Sequence, residues 1–481
     1  MSVSNELCFK SATELASEIR AGHISSRDVA QAHLSQIEEF NGRVNAIVTL
    51  DVEGTLKRAL DADEAQVKGH KLGILHGLPI AHKDTFLTAG MRTTFGSPLF
   101  KDFVPTENSA VVEKSQQAGA ISVGKTNVPE FAAGSQTFNQ VFGPTRNPYN
   151  LDLTCGGSSG GAAAALACGF VPLADGSDMG GSLRNPASFC NIVGLRPSIG
   201  VVPQYPVVNG FDVLCASGPM ARSVEDVGLL LNAICGEDPR DPCSFRQDSA
   251  SFSGRLEHDF SRARIAWSPN LGCLPVAPEV IQVIQKQLDV FSSFGCEVEE
   301  ATPDLTGAHE AFHTLRGMIF ETTYGHLYPD HKDALKDTVR WNLELGRNLT
   351  APKIAQAQRL QSQCFAKLSQ FLTQYDFLVT PVSQVLPFPV EQEYVTEINA
   401  VPMGSYIDWM SASYYISVTG HPAISVPCGF SQTGLPVGIQ IVGRYRRDLD
   451  LLRIAYMFEQ STRFATVRPV FCDHSYDHKE R

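Results

Sequence analysis

Two glycine-serine clusters hold residue types whose spacing could do nucleophilic chemistry. The first is Gly156-Gly157-Ser158-Ser159-Gly160-Gly161, and the second is Asp178-Met179-Gly180-Gly181-Ser182-Leu183-Arg184, with its serine 24 residues beyond Ser158. Such clusters are often mere turns. Here they bracket an alanine-rich segment, Ala162 to Cys168, and the apolar run Val171-Pro-Leu-Ala174. A helix followed by a strand would bring both loops to one edge of a sheet. There the glycines permit close backbone approach and leave serine hydroxyls exposed to a reacting group.

Three other motifs match by spelling and fail by context. Gly119-Ala-Ile-Ser-Val-Gly124-Lys125-Thr126 fits a phosphate-binding loop, but that mechanism needs a flexible loop between strand and helix. The residues between these glycines are apolar and strand-like, and Asn127-Val-Pro129 stands where the helix should begin. Gly156-Gly-Ser158-Ser-Gly160 satisfies the nucleophile elbow, which requires a preceding strand and a later acid and histidine. Asn147 to Asp152 reads as a loop, and His421, followed by Pro422, is the only later histidine that tempts as the partner. His309-Glu310-Ala-Phe-His313 fits the HExxH of zinc peptidases, with two imidazoles on one helical face and Glu310 as base. Arg316 and Ile319 stand where the extended motif needs glycine and a third histidine. These are therefore expected to be ordinary histidines, with no metal and no cofactor; a zinc peptidase is the alternative they leave.

The elements that must position the serines can be read coarsely. Ser11-Ala-Thr-Glu14 is a capping box for a helix closing at Gly22, and Ala30, Leu34 and Ile37 give a second helical face running towards Asn41-Gly42. From about residue 74 the texture changes to short apolar runs broken by Gly and Pro. Leu78–Ala81, Ala120–Val123, Val171–Ala174 and Ala423–Val426 read as buried strands, alternating with helices such as Ser109–Ala118. Residues 236–264 are a polar surface excursion, 275–372 are mainly helical, and strands return at 376–382 and 422–443. The expectation is one α/β domain over 1–481. N-terminal helices occupy 1–70, the catalytic core 71–235, a helical cap 265–372, and a return to the core sheet 373–466.

Bulk properties exclude several classes. The 481 residues carry a net charge of −12, so nothing invites nucleic acid. No stretch is long and apolar enough to suggest a membrane span. The start, Met1-Ser2-Val3-Ser4-Asn5-Glu6, lacks the pattern of a secretory signal. Twelve cysteines scattered from Cys8 to Cys472 without a CxxC pair read as reduced thiols. A cytoplasmic chain is expected, and a homodimer is left open.

Over residues 74–226 the sequence resembles the amidase signature family, and more weakly at 417–430 and 434–442. The resemblance implies an α/β/α fold with a large mixed central sheet covered by helices on both faces. It also implies a Ser-Ser-Lys triad. Ala81-His82-Lys83-Asp84 matches the family's lysine triplet, so Lys83 is the base. Ser158 is the bridging serine after a cis peptide bond, and Ser182 is the nucleophile. Lysine buried beside few counter-charges loses its proton more readily. Neutral Lys83 would then draw a proton through Ser158 from Ser182, and the relay reversed would protonate the leaving nitrogen. Met179, Gly180, Gly181 and Ser182 would offer backbone N–H groups to the oxyanion. Gly157, Ser159, Asp178 and Arg184 would support the loops, the last two as an ion pair.

Cys155 stands where the family often has proline, and His82 where it has an aliphatic residue. Packing is expected for the first, and the opposite side of the strand for the second. Phe131-Ala-Ala-Gly134-Ser135-Gln136 and Phe138 fall where the family's acyl-pocket loops lie, with Gly134, Ser135, Gln136 and Phe138 expected to bind substrate. Phe312, Met318, Phe320, Tyr324 and Trp341 could form a lid or a core face. The expected substrate is a small aryl or alkyl amide cleaved through a Ser182 acyl-enzyme. A carbamate (urethane) or ester hydrolase using the same triad is one alternative. The A subunit of a glutamine-dependent tRNA amidotransferase is another. That protein typically has Arg-Gln-Pro and Ser-Arg-Tyr-Gly where Arg184-Asn185-Pro186 and Pro203-Gln-Tyr-Pro206 stand here, which favours a stand-alone enzyme.

Overall fold

The apolar runs broken by Gly and Pro become the middle of one mixed sheet. A computed structural model describes residues 3–247 and 252–472. Eleven strands lie in the order Ile47–Leu50, Ile121–Thr126, Pro79–Lys83, Leu173–Asp178, Ala216–Ala221, Val193–Arg196, Ala423–Phe430, Pro436–Val442, Phe377–Pro381, Arg264–Trp267 and Glu297–Glu300. Every residue of Pro79–Lys83, Ala216–Ala221, Val193–Arg196 and Pro436–Val442 is buried, which requires cover on both faces. Helices provide it, among them the wholly buried Gly160–Ala167, whose glycines and alanines allow tight packing.

Pro79–Lys83 and Leu173–Asp178 are parallel neighbours in the register Ala81↔Ala174. Their carboxyl ends therefore open on the same side of the sheet, where open α/β sheets commonly bind ligands. Lys83 and Asp178 are the last residues of these two strands.

The capping box at Ser11 forms as read, with Ser11 Oγ accepting from Glu14 N at 3.0 Å and Glu14 Oε2 from Ser11 N at 2.8 Å. The following helix spans Ser26–Val44 and buries Ala30, Leu34 and Ile37. Three expectations need correction. The N-terminal 70 residues are not all helical, since Ile47–Leu50 is an edge strand, short and half-exposed. Asn147 to Asp152 is not a plain loop: Arg146–Asn147 pairs with Asn150–Thr154 as a small hairpin outside the main sheet. The stretch 265–372 is not a purely helical insert, because Arg264–Trp267 and Glu297–Glu300 extend the central sheet. Glutamate-rich Glu297–Glu300 has a composition depleted in strands, yet charge suits an exposed edge that must not pair further. The polar excursion is pinned by buried Phe252, Leu256 and Phe260, and its residues 248–251 lie outside the described residues, as do Met1 and Ser2 of the amino terminus. Among the described residues no helix is long and apolar enough to cross a membrane.

Candidate active site

Lys83 reaches its site from the end of a strand buried on both faces, and it is itself fully buried. Its Nζ donates to Ser158 Oγ at 2.8 Å, Ser159 Oγ at 2.9 Å and Ser177 Oγ at 2.9 Å. Burial brings its pKa down from 10.5 to about 7, against the smaller upward pull of Asp178, Cys215 and Asp175. At neutral pH a large fraction of this amine is therefore unprotonated, as a proton acceptor must be. Asp84 does not oppose this. It turns to Thr94, accepting from Thr94 N at 3.1 Å, and faces Lys125 rather than Lys83. His82 points away from the amine, pairing through Nδ1 with Asp175 and through Nε2 with Ser122 Oγ at 2.8 Å.

The Ser158 loop carries the cis peptide bond at Gly157–Ser158. It is tied to the second loop by Ser159 N donating to Ser182 O at 3.2 Å. Close approach from below depends on Gly176, where a Cβ would lie 2.7 Å from Ser159 Oγ. Ser158, Ser177, Met179 and Ser182 all line one cavity of about 380 Å³.

The Ser182 loop is held by a buried ion pair. Arg184 Nε and Nη2 donate to Asp178 Oδ2 and Oδ1 at 3.0 and 2.9 Å, and Arg196 stands 3.5 Å from the same carboxylate. Burial alone would raise the Asp178 pKa; the two guanidiniums and the Gly181 N–H hold it well below the usual carboxylate range. Arg184 is further satisfied by Ser413 O at 3.0 Å, Ser417 Oγ at 2.7 Å and Gln440 Oε1. With these bonds the pair braces the loop. Gly181 has φ +117°, a conformation that favours glycine, and donates its N–H to Asp178 Oδ1 at 2.7 Å. That commits one of the four amides expected at the oxyanion to the brace.

Elsewhere the sequence reading and the geometry part. Gly134, Ser135, Gln136 and Phe138 do not line the cavity. Ser135 bonds Met410 Sδ and Gln136 bonds Val390 O, both buried behind Gly157, while Phe138 lies under the Lys336 ammonium at 3.8 Å. The chain reverses at Phe131 and Ala132, both with positive φ, and of the expected pocket segment it is these two that line the cavity. Cys155 is buried and its thiol is pushed up to about 12 by that burial, in keeping with packing. Gly124-Lys125 lies inside a strand, not in a phosphate loop. His421 bonds Ser369 Oγ and Thr419 and does not line the serine cavity.

Several site residues went unread in the sequence. Ser177 supplies a third hydroxyl to Lys83, and Arg196 a second guanidinium to Asp178. Gln440 was the legible one, as the single polar side chain in the apolar strand Pro436–Val442, since a buried amide demands a partner. The cavity wall comes from the helix Ala308–Tyr324 through Arg316, Ile319, Phe320 and Tyr324, and from the loop Pro203–Gly210. Arg316 donates to Tyr406 OH at 2.8 Å, to Asn342 Oδ1 at 3.0 Å and to Met179 Sδ at 3.1 Å, fixing that wall to the serine loop. Phe312 packs in the core, stacked on Tyr414 at 4.1 Å, whereas Phe320 and Tyr324 face the cavity.

Comparison with known proteins finds relatives over nearly the whole chain. A family model described as Amidase matches residues 28–452. An acylamidase of Rhodococcus erythropolis is 35% identical over 462 residues, covering 95% of this chain and 97% of that protein. The A subunit of the glutamyl-tRNA(Gln) amidotransferase of Chromohalobacter salexigens is 34% identical over 484 residues, covering 96% and 98%. Among solved structures, a bacterial aryl acylamidase of the amidase signature enzymes superposes with a TM-score of 0.89 at 29% identity, covering 95% and 98%.

Proposed function

The chain belongs to the amidase signature family, hydrolases of carbon–nitrogen bonds other than peptide bonds, and from that premise we propose that it hydrolyses small aryl or alkyl amides through a Ser182 acyl-enzyme. The observation that carries this reading is the buried Lys83 amine, 2.8 Å from Ser158 Oγ, beside a cavity that Ser158 and Ser182 share. In the proposed cycle neutral Lys83 accepts the proton of Ser158, which accepts that of Ser182 as Ser182 Oγ attacks the carbonyl carbon. The N–H groups of Met179, Gly180 and Ser182 take the oxyanion, Gly181 being engaged by Asp178. The tetrahedral species collapses as the relay returns a proton to the leaving nitrogen, and water then repeats the sequence on the acyl-enzyme.

An aryl or alkyl group is favoured over glutamine by the apolar share of the cavity lining, Phe131, Ile319, Phe320, Tyr324, Val207 and Val208, which stands beside polar residues such as Arg316 and Asp212. The same chemistry extends to esters and carbamates, whose carbonyls accept the same nucleophile. The test is a panel of aryl amides, an aryl carbamate and glutamine, given to wild type and Ser182→Ala with and without chelator. Wild type should hydrolyse an aryl amide fastest, equally with chelator, and Ser182→Ala should lose roughly 10⁴-fold or more. An active Ser182→Ala variant would sink the assignment, and preference for glutamine would move the reading to a component of the tRNA amidotransferase.

A further inference from the structure

We propose that His309, His313 and Asp408 form a binding site for one divalent transition-metal ion of the zinc class, separate from the serine cavity. The two histidines stand four residues apart on the helix Ala308–Tyr324, so their rings share one face, with centroids 4.4 Å apart. Asp408 comes from a distant turn, Asp408–Met410, and the ligand atoms of all three lie within 4.8 Å of one another. His313 Nε2 and Asp408 Oδ1 are already 3.0 Å apart. Tetrahedral zinc with bonds of about 2.0–2.1 Å holds its ligands ~3.3 Å apart, so this pair is at spacing and only the exposed His309 needs to close in.

The surroundings orient the donors as an outer shell does. Tyr414 OH lies 2.9 Å from His309 Nδ1, which leaves Nε2 to the ion, and Ser405 Oγ donates to Asp408 Oδ1. Two neutral imidazoles and a carboxylate leave a fourth position for water. Nothing in the arrangement makes the ion part of the hydrolysis. Glu310, the base an HExxH peptidase would need, is exposed beside the cluster, and none of the three donors lines the cavity.

The ion would instead cross-link the wall helix to the segment bearing Tyr414. Both touch the serine loop: a Cβ at Gly180 would lie 2.7 Å from Phe312 Cζ and 3.3 Å from Tyr414 Cβ. Binding at this site thus ties together two elements that pack beside the serine loop, a structural cross-link read in stability and not in turnover.

The experiment uses metal-stripped full-length protein titrated with Co²⁺, followed by visible d–d absorption and by thermal unfolding. The expected result is one Co²⁺ per chain, displaced by Zn²⁺, with a rise in unfolding temperature. His309→Ala and Asp408→Asn should each weaken uptake by about tenfold or more and abolish the rise. Because His309 is exposed, its variant should keep basal amide hydrolysis, which certifies its fold. Absence of stoichiometric uptake, or uptake unchanged in either variant, overturns the site and leaves a hydrogen-bonded brace. Neither outcome bears on the Ser182 reading, since basal turnover is measured without the ion.

Discussion

The floor of the cavity and its wall are built on different principles. The floor is made of Lys83, Ser158, Asp178, Ser182 and Arg184, from strand ends and glycine loops inside the main core, and all are buried. The wall facing it rests partly on a second apolar cluster, Phe131, Ala133, Phe320, Leu335, Val339 and Leu343, which is separate from the main core. It is closed by ring contacts such as Phe131–Tyr324 at 4.4 Å. The groups assigned above to the proposed proton relay are fixed by the fold itself. Groups that only shape a substrate sit on a small cluster that can be repacked without disturbing the sheet.

If that division is right, damage to the floor should appear in turnover and damage to the wall in affinity. The largest effect is expected from Lys83→Ala, which should lower kcat by about 10²–10⁴-fold with KM little changed. Wild-type kcat/KM should also fall as pH drops through about 7, because the pKa of Lys83 in the free enzyme lies near there and protonation removes the acceptor. A pH–rate profile checks both points. The acidic limb should be present in wild type and absent from the residual activity of Lys83→Ala. A limb that persists would assign the titration to another group and break the contrast.

Next in size is Arg184→Ala, which acts on the floor through the fold and not through a proton. It strands the Asp178 carboxylate in the core with only Arg196 nearby, and breaking a buried pair in this way costs roughly 3–5 kcal/mol. Urea unfolding should report that loss, and a cost under about 1 kcal/mol would mean that Arg196 suffices. This residue also marks how far the sequence could be read. The resemblance placed Lys83, Ser158, Ser182 and the Asp178–Arg184 brace because they sit in contiguous motifs. Arg196, Ser177 and Ser417 were invisible because they meet the site only through strand register and helix packing. The buried strands were legible from their apolar runs, while Ile47–Leu50 and Glu297–Glu300 were not, since short edge strands carry little hydrophobic signal. The pocket segment was legible at Phe131 and Ala132, which line the cavity, but not in which of its later residues turn away. Positive φ at Phe131 and Ala132 turns the chain, and no pattern of residue types there announces it.

The smallest effect is expected from Phe320→Leu, and it sharpens the comparison most. Phe320 touches the cavity and the second cluster, packing near Tyr324 at 5.8 Å and beneath the Arg316 guanidinium at 4.7 Å. Leucine keeps the apolar character but gives up the flat ring face, so KM for an aryl amide should rise about tenfold with kcat nearly unchanged, within the ~1–3 kcal/mol that small apolar changes in a pocket carry. An alkyl amide of similar size should be affected less, because it has no ring to set against Phe320. Steady-state kinetics on the two substrates give both numbers. The decisive arm is the double variant with Lys83→Ala. Side chains in separate clusters without shared partners should combine additively to within about 0.3–0.5 kcal/mol in kcat/KM. A larger coupling would mean that the wall reaches the relay, and Arg316, which bonds Met179 on the serine loop, is the side chain through which it would do so.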